Sequence, residues 1–332
     1  MLNAEPAAGR AVEAEEGHLK HKPILPGEGD VGCTELVWLL GQPHLADYLQ
    51  FVANKVPGGR DIDARSLTAE WRAANDHYYD IEQAEAGVAE TIECLPLEPA
   101  LRPLARAVRA NPWFKASFDN LPVGFHKVEL DKLIVSQSHV ESTFTGILGG
   151  TLGTAPTPAE LFRFCLPLER PMPPVRIQRL TGDRFLLTSP STDFRAHHPT
   201  LLRPQQLKGI DSVGPYAALV GIMVGFGSNF MSAIRSGGRV LLQNGYHRAY
   251  TLRSLGFTHA YCIVEDVTRK DELRLTADAG VSADPEYYFA AKRPPILRDF
   301  FDPRLTKRLT VLPMENHVEV EILVKSSTAT QW

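Results

Sequence analysis

Residues 240–250, with the sequence VLLQNGYHRAY, constrain the fold of this 332-residue chain more than any other segment. An apolar run ends at Asn244-Gly245, and the residues that follow have helical spacing. This change of period predicts a buried strand, a tight turn and a helix. Gly256 is placed to end the helix, and residues 260–264 are predicted as the next strand. The segment therefore predicts a helix that connects two strands of one sheet.

The same turn combines features that suit an anionic ligand. A helix N-terminus presents unpaired N–H groups and the positive end of the helix dipole, and Gly245 permits close backbone approach. Arg248 offers a planar fork, and His247 offers a donor. The alternative is a simple connector, in which Arg248 pairs with Glu265 or Asp266 and the histidine caps a carbonyl.

Changes in composition and period divide the chain into four predicted regions. They are a loosely ordered arm (1–32), a helical region (33–120), a central α+β domain (121–270) and a C-terminal extension that contains a strand (271–332). The arm carries five glutamates and lacks the features of a secretory signal or a transit peptide. The fold class expected from this order is α+β.

Individual elements follow from the same patterns. In the helical region we predict helices over 34–40, over 44–56, from a cap at Ser66 or Thr68 through Val88 towards Cys94, and over 101–110. In the remainder we predict strands or hairpins over 126–131, 175–188, 219–226 (buried) and 317–324, a flexible glycine loop over 146–153, and an exposed loop over 193–198. For 229–243 two alternatives stay open, a hairpin or a helix that leads into a strand.

Two of these segments, taken together, resemble the ParB/sulfiredoxin-like superfamily. The turn and helix at 244–256 resemble its Gly-x-(His/Arg)-Arg element, and residues 128–137 (VELDKLIVSQ) resemble the strand and loop that open such domains. The resemblance covers about residues 125–266. It implies a small α+β domain that binds a nucleotide phosphate over the turn, with a nucleoside triphosphate and Mg²⁺ as the implied cofactors.

The resemblance also implies site residues by position. It places Gly245, His247 and Arg248 on the phosphates and Gln137 near the pocket; Asn244 and Tyr246 complete the predicted ligand-binding set. The weak candidates for a catalytic group are Glu129, Asp131 and His247, so the general base stays unassigned. Sulfiredoxin has a reactive cysteine where this chain has Tyr246, so that chemistry is excluded. The chromosome-partitioning members of the superfamily have a helix-turn-helix after this domain, and the pattern of residues 271–332 does not predict one.

The cysteines and the charge exclude several classes of protein. Cys33, Cys94, Cys165 and Cys262 stand singly, which argues against a zinc site, a disulfide framework and a catalytic thiolate, and favours a cytoplasmic protein. The net charge of -4 makes a nucleic-acid partner unlikely. The longest apolar run has ten residues, at 217–226, whereas a membrane helix needs about 20.

Three functions stay open at this point. The first is an enzyme that binds a nucleotide and catalyses its hydrolysis or phosphoryl transfer at the turn. The second is a non-catalytic sensor of a small anionic ligand, or a protein-interaction module with a partner bound through the N-terminal helical region. The third is a nucleic-acid binder or nuclease.

Overall fold

The computed structural model describes residues 32–328 except 43, 154, 170–171, 192, 208 and 210–213. All of the predicted arm except residue 32 lies outside the described residues. The strands are β1 (Thr34–Leu39), β2 (Cys94–Pro96), β3 (Val123–Glu129), β4 (His139–Glu141), β5 (Arg176–Arg179), β6 (Arg184–Ser189), β7 (Phe194–Leu202), β8 (Leu219–Phe226), β9 (Ser232–Ser236), β10 (Arg239–Asn244), β11 (His259–Asp266), β12 (Thr306–Val311) and β13 (Asn316–Glu321).

The helices complete an α+β fold. They are α1 (Leu45–Lys55), α2 (Ala64–Ala84), α3 (Arg102–Ala110), α4 (Pro112–Ser117), α5 (Ser142–Leu152), α6 (Pro158–Cys165), α7 (Tyr246–Ser254), α8 (Lys270–Thr276), α9 (Ala279–Ala283) and α10 (Pro285–Phe289). Within the described residues the strands form four sheets, ordered β10-β9-β11-β3-β2, β12-β1-β4, β13-β6-β5 and β7-β8.

The five-stranded sheet carries the predicted strand–helix–strand unit. β10 pairs with β9, α7 crosses over, and β11 returns parallel to β9 and antiparallel to β3. The five residues from 260 to 264 on β11 are each at most 1% exposed, because α6 and α7 pack on the sheet. The predicted helix after the turn and its stop at Gly256, where φ is 87°, are confirmed.

The predicted helix over 34–40 is wrong, because this segment forms strand β1. Strands β12 and β4 flank it on its two sides, and its residues from Leu36 to Leu39 are buried on both faces. A strand buried on both faces has a continuous apolar run, and periodicity does not distinguish such a run from part of a buried helix.

The rest of the helical region also departs from the prediction in part. The helices predicted over 44–56 and 101–110 are confirmed as α1 and α3. The cap of α2 is Asp63, whose Oδ1 accepts from the Arg65 N–H at 3.1 Å, and is neither Ser66 nor Thr68. The helix ends at Ala84, before Gly87 with φ 80°, and the chain then reaches strand β2.

The central and C-terminal regions contain confirmed hairpins and three corrections. The hairpin β5–β6 and the last strand β13 form as predicted, and of the two alternatives for 229–243 the hairpin forms, as β9–β10. The glycine loop over 146–153 is wrong, because those residues mostly belong to helix α5. The exposed loop over 193–198 is instead part of β7, and its partner β8 is a strand that is exposed rather than buried.

Candidate functional site

The turn between β10 and α7 requires glycine at residue 245. Gly245 has φ 100°, in the left-handed region, and a Cβ there would lie 2.4 Å from Cγ of Met231. It is the N-cap of α7, and having no side chain it cannot cap the helix. The preceding Asn244 donates from Nδ2 to the Ser228 carbonyl at 2.8 Å. The turn is thus fixed, and no side chain of the N-cap residue accepts from the first helical N–H groups.

Arg248 lies beneath this turn rather than on its surface. Its side chain is buried, and Nη1 donates to the carbonyls of Cys165 at 2.9 Å and Asn229 at 2.6 Å. The two carboxylates named as its alternative partners bind elsewhere: Asp266 pairs with Arg235 and Glu265 accepts from Thr276. Arg248 therefore ties α7 to the segments before it through backbone carbonyls.

Tyr246 also belongs to the core. Its hydroxyl accepts from the Ser136 N–H at 3.2 Å, lies 2.8 Å from Ser136 Oγ, and donates to the Leu242 carbonyl at 2.5 Å. Burial raises the pKa of the phenol to about 12, so it stays protonated. The phenol thus joins the loop after β3 to β10, and the same Ser136 Oγ reaches Asp278 Oδ2 at 3.4 Å.

Two neutral histidines lie beside the start of α7. Burial lowers the pKa of His247 to about 4, and its proximity to His139 and Arg248 acts in the same direction. Burial likewise lowers the pKa of His139 to about 4. The His139 ring stacks on Trp38 with centroids 5.2 Å apart, and its buried Nδ1 has no hydrogen-bond partner among the described residues.

Helix α5 covers His247. The rings of Phe144 and His247 meet edge to face with centroids 5.3 Å apart. A cavity of about 580 Å³ lies farther along the two helices, between Gly149 on α5 and Thr251 on α7, and its lining does not include residues 245–248. Phe144 therefore places α5 against His247 at the start of α7.

The structure brings some predicted site residues together and separates others. Gln137 lies near the turn, one residue after Ser136, and its Nε2 donates to the His139 carbonyl at 2.7 Å. Asp131 pairs with Arg253 in the last turn of α7, at 2.9 Å, and Glu129 pairs with Lys132 at 3.2 Å. Neither carboxylate is placed at the turn.

Sequence reasoning missed two residues beside the turn, His139 and Asp278. His139 enters through β4, which pairs with β1, a segment that was predicted to be a helix. Asp278 caps α9, with Oδ1 accepting from the Val281 N–H at 2.9 Å. An Asp before a short apolar run is a cap signal, but nothing in its spacing relates it to a turn more than 30 residues away.

Cys165 and Cys262 are buried, and Cys94 is half-buried. Burial raises the pKa of Cys165 to about 12, and it also raises the pKa of Cys262 and Cys94. Within the described ranges, no three His, Cys, Asp or Glu side chains cluster so as to hold a metal ion. In the same part of the chain, every helix is too short or too polar to cross a bilayer. No protein-family model, curated protein or solved structure matches the chain.

Proposed function

We propose that this chain binds a phosphate-bearing small ligand, of the nucleotide class, at the N-terminus of α7, in a ParB/sulfiredoxin-like arrangement. The observation that carries the proposal is the turn itself. A strand of the buried sheet ends at a left-handed Gly245, and the helix that follows has no side chain at its N-cap. Such a helix start binds anions through its backbone N–H groups and its dipole.

The side chains around the turn support a phosphate in different ways. With a pKa of about 4, His247 is neutral at pH 7 and offers one N–H donor. Arg248 contributes positive potential from below, since its guanidinium is held on the carbonyls of Cys165 and Asn229. The selectivity of the site for phosphate would thus come mainly from backbone and imidazole N–H groups.

Among the described residues, Asp278 is the acid whose carboxylate joins the hydrogen-bond network of the turn, through Ser136. A magnesium ion in a nucleotide site commonly uses one carboxylate together with the phosphates and water. Asp278 would therefore hold Mg²⁺ when a nucleoside triphosphate is the ligand. This fit makes a metal–nucleotide complex compatible with the residues present.

We favour binding without turnover, the sensor alternative, over an enzyme. The two acids proposed as a general base, Glu129 and Asp131, pair with Lys132 and Arg253 away from the turn. The remaining candidate, His247, is a weak base with its pKa near 4. The proposed site thus has donors that can position a phosphate, and none of the three candidates is suited to act as its general base.

A ligand screen on the purified protein tests the proposal. Melting temperature is measured with inorganic phosphate, AMP, ADP and ATP, each with and without Mg²⁺, because a ligand of the folded state raises it by mass action. We expect a nucleotide to raise it, and nucleotide concentration to stay constant over the measurement. If none of these compounds changes the melting temperature, the proposed function is wrong.

Two matched variants of His247 test whether its N–H group contacts the ligand. His247→Gln keeps an N–H donor, and His247→Leu has similar size without one. We expect calorimetric titration to show near-normal affinity for the glutamine variant and at least about tenfold weaker affinity for the leucine variant. Equal affinities in both variants would show that His247 does not contact the ligand. Turnover of the nucleotide by the wild-type protein would favour the enzyme over the sensor.

A further inference from the structure

A cleft of about 490 Å³ lies between the end of α2, the last turn of α7 and residues 298–304. Four arginines line it: Arg253, Arg293, Arg298 and Arg304. A guanidinium stays charged at any physiological pH and presents N–H donors in a planar fork that matches an oxyanion. Whether the cleft suits an anionic ligand therefore depends on how many of these donors the protein itself uses.

Net charge alone does not select a ligand for this cleft. Three acids also line it: Glu85, Asp299 and Asp302. A fourth acid, Asp131, pairs with Arg253 from outside the lining. The arginines and the carboxylates thus balance in charge, and the two sets differ in how fully their hydrogen-bonding groups are used.

The innermost arginine, Arg293, is fully used by the fold. Its side chain is 1% exposed, and Nη1 and Nη2 each donate to Asp299 at 2.6 Å. Nε and Nη2 also donate to Oε2 of Glu85, at 3.2 and 3.1 Å. The same Glu85 oxygen accepts from Nη2 of Arg298 at 2.5 Å. These two acids are therefore saturated by donors of the protein.

Asp302 at the rim of the cleft is saturated as well. Its Oδ1 accepts from the backbone N–H of Arg304 at 2.9 Å and from Nε of the same residue at 3.3 Å. Its Oδ2 accepts from Nη2 of Arg304 at 3.2 Å and lies 2.9 Å from Nε2 of His77. The carboxylate is thus held between two side chains.

The three outer arginines, in contrast, keep unused donors. Arg253 donates only from Nε, to Asp131 at 2.9 Å, Arg298 donates only from Nη2, and the Arg304 side chain donates only from Nε and Nη2. Among the described residues, Nη1 of all three and Nη2 of Arg253 have no hydrogen-bond acceptor. The side chains are 33%, 37% and 69% exposed, so a ligand can reach them.

The surroundings strengthen and orient these donors. The guanidinium of Arg253 lies over the ring of Phe301, 4.4 Å from its centroid, while Asp131 holds Nε. Ile81, Phe301 and Pro303 contribute apolar surface to the lining. A hydrogen bond to a charged group is stronger beside apolar surface than in water, and a group already held in place loses less freedom on binding.

We infer that this cleft binds a small polyanion, a molecule with two or more carboxylate or phosphate groups, through Arg253, Arg298 and Arg304. Each of the unused Nη atoms has two N–H bonds, which together exceed the roughly four lone-pair sites of one carboxylate. A ligand with at least two oxyanion groups therefore matches the donors. The site is separate from the proposed nucleotide site, since Arg253 lies in the last turn of α7 and residues 245–248 at its start.

Calorimetric titration of the full chain with citrate and with pyrophosphate, at constant ionic strength, tests this site. The first probe carries carboxylates and the second carries phosphates, so the two titrations distinguish the sources of the oxyanion. We expect saturable binding of at least one of them. Arg298→Gln and Arg304→Gln each remove one charged fork and should weaken that binding by about tenfold or more.

Arg269→Gln is the matched control. Arg269 is 70% exposed and donates from Nε and Nη2 to Asp271, two residues away. Arg304 is 69% exposed and makes the same pair of hydrogen bonds to Asp302, also two residues away. The control thus changes the net charge and breaks the same kind of ion pair outside the cleft, and it should bind the probe with wild-type affinity.

Four results would overturn the inference. The first is no saturable binding of either probe, and the second is wild-type affinity in both cleft variants. The third is equal weakening by Arg269→Gln, which would show a general attraction between charges. The fourth is loss of binding in His247→Leu but not in the cleft variants, which would place the anion at the start of α7 and support the nucleotide site instead. Circular dichroism spectra confirm that each variant is folded.

Discussion

At the scale of single residues, His139 and His247 make the structure sensitive to acid. Burial holds the pKa of each near 4, against about 6.5 in an unfolded chain. The unfolded state therefore takes up protons first as the pH falls. The stability that the neutral rings contribute is complete above about pH 6.5 and is lost as the pH falls towards 4.

This linkage predicts a measurable slope. We expect the free energy of unfolding in urea to fall by about 2 kcal/mol per histidine between pH 7 and pH 4.5. Because glutamine does not titrate, the free energy of unfolding of His247→Gln should fall less over this range, by the contribution of one histidine. Equal slopes for the wild-type protein and this variant would contradict the account of His247.

Arg248 is predicted to matter for stability as well as for the ligand. Arg248→Met leaves the carbonyls of Cys165 and Asn229 without their charged donor, which should cost about 2–4 kcal/mol of unfolding free energy. Arg248→Lys should restore part of this, since one ammonium cannot reproduce the fork. Arg253→Ala, which breaks a partly exposed pair with Asp131, is the control and should cost far less. Urea unfolding that gives Arg248→Met near-wild-type stability would contradict the contacts described.

Residue chemistry at the turn was predictable only where it is local. The need for glycine at 245 follows from the sequence Asn-Gly between a strand and a helix. The partners of Arg248 do not, because Cys165 at the end of α6 and Asn229 in the segment before β9 are 83 and 19 residues away along the chain. The burial of Tyr246 depends in the same way on Ser136, which is 110 residues away.

At the scale of elements, α5 is the least expected helix. It has Gly146, Gly149 and Gly150 in its interior, and each costs up to about 1 kcal/mol of helix stability relative to alanine. Because it covers His247, a weak helix here would let the cover open for a ligand. The prediction of a flexible loop is wrong, because these glycines lie in a helix. The same glycines are nevertheless the residues that weaken the helix.

Alanine substitutions in α5 should stabilise the protein. A Cβ at Gly146 or Gly150 meets no atom within 4 Å, so Gly146→Ala and Gly150→Ala should each raise the unfolding free energy by about 0.5–1 kcal/mol. Gly245→Ala is the contrasting control, because its φ is 100° and Met231 occupies the space. Destabilisation by the two α5 substitutions, measured by thermal unfolding, would show that the glycines serve some other contact.

The errors in predicting elements share one physical cause. β1 was predicted as a helix because a strand with sheet neighbours on both sides and both faces covered has no alternation of polar and apolar residues. β8 was predicted as buried for the converse reason: it is apolar throughout, yet it lies in a two-stranded ribbon. Its surroundings, and not its own sequence, decide its exposure.

At the scale of the whole molecule, long-range pairs join regions that composition separates. β12 from the C-terminal extension pairs with β1, and β13 completes the sheet of β5 and β6. The segment after α10 contributes a buried ion pair: Arg293 donates from two nitrogens to Asp299 at 2.6 Å, and one of these also donates to Glu85 on the loop after α2, at 3.1 Å. These contacts could not be predicted from local pattern.

Breaking this buried pair should destabilise the whole fold. Asp299→Ala leaves the buried Arg293 without its bidentate partner and should cost about 3–5 kcal/mol of unfolding free energy. Arg304→Ala removes a largely exposed partner of Asp302 and should change stability little. Urea unfolding of the two variants is monitored by tryptophan fluorescence. Equal losses of unfolding free energy would contradict a structural role for the buried pair.

The central claim is that a phosphate lies on the N-terminus of α7. The most direct measurement is a titration of ¹⁵N-labelled protein with the nucleotide found by the screen, followed by amide chemical shifts. We expect saturable shifts of the backbone amides of residues 245–248, with the imidazole resonances of His247 moving at the same ligand concentration. Saturable shifts elsewhere, with these amides unchanged, would contradict this claim.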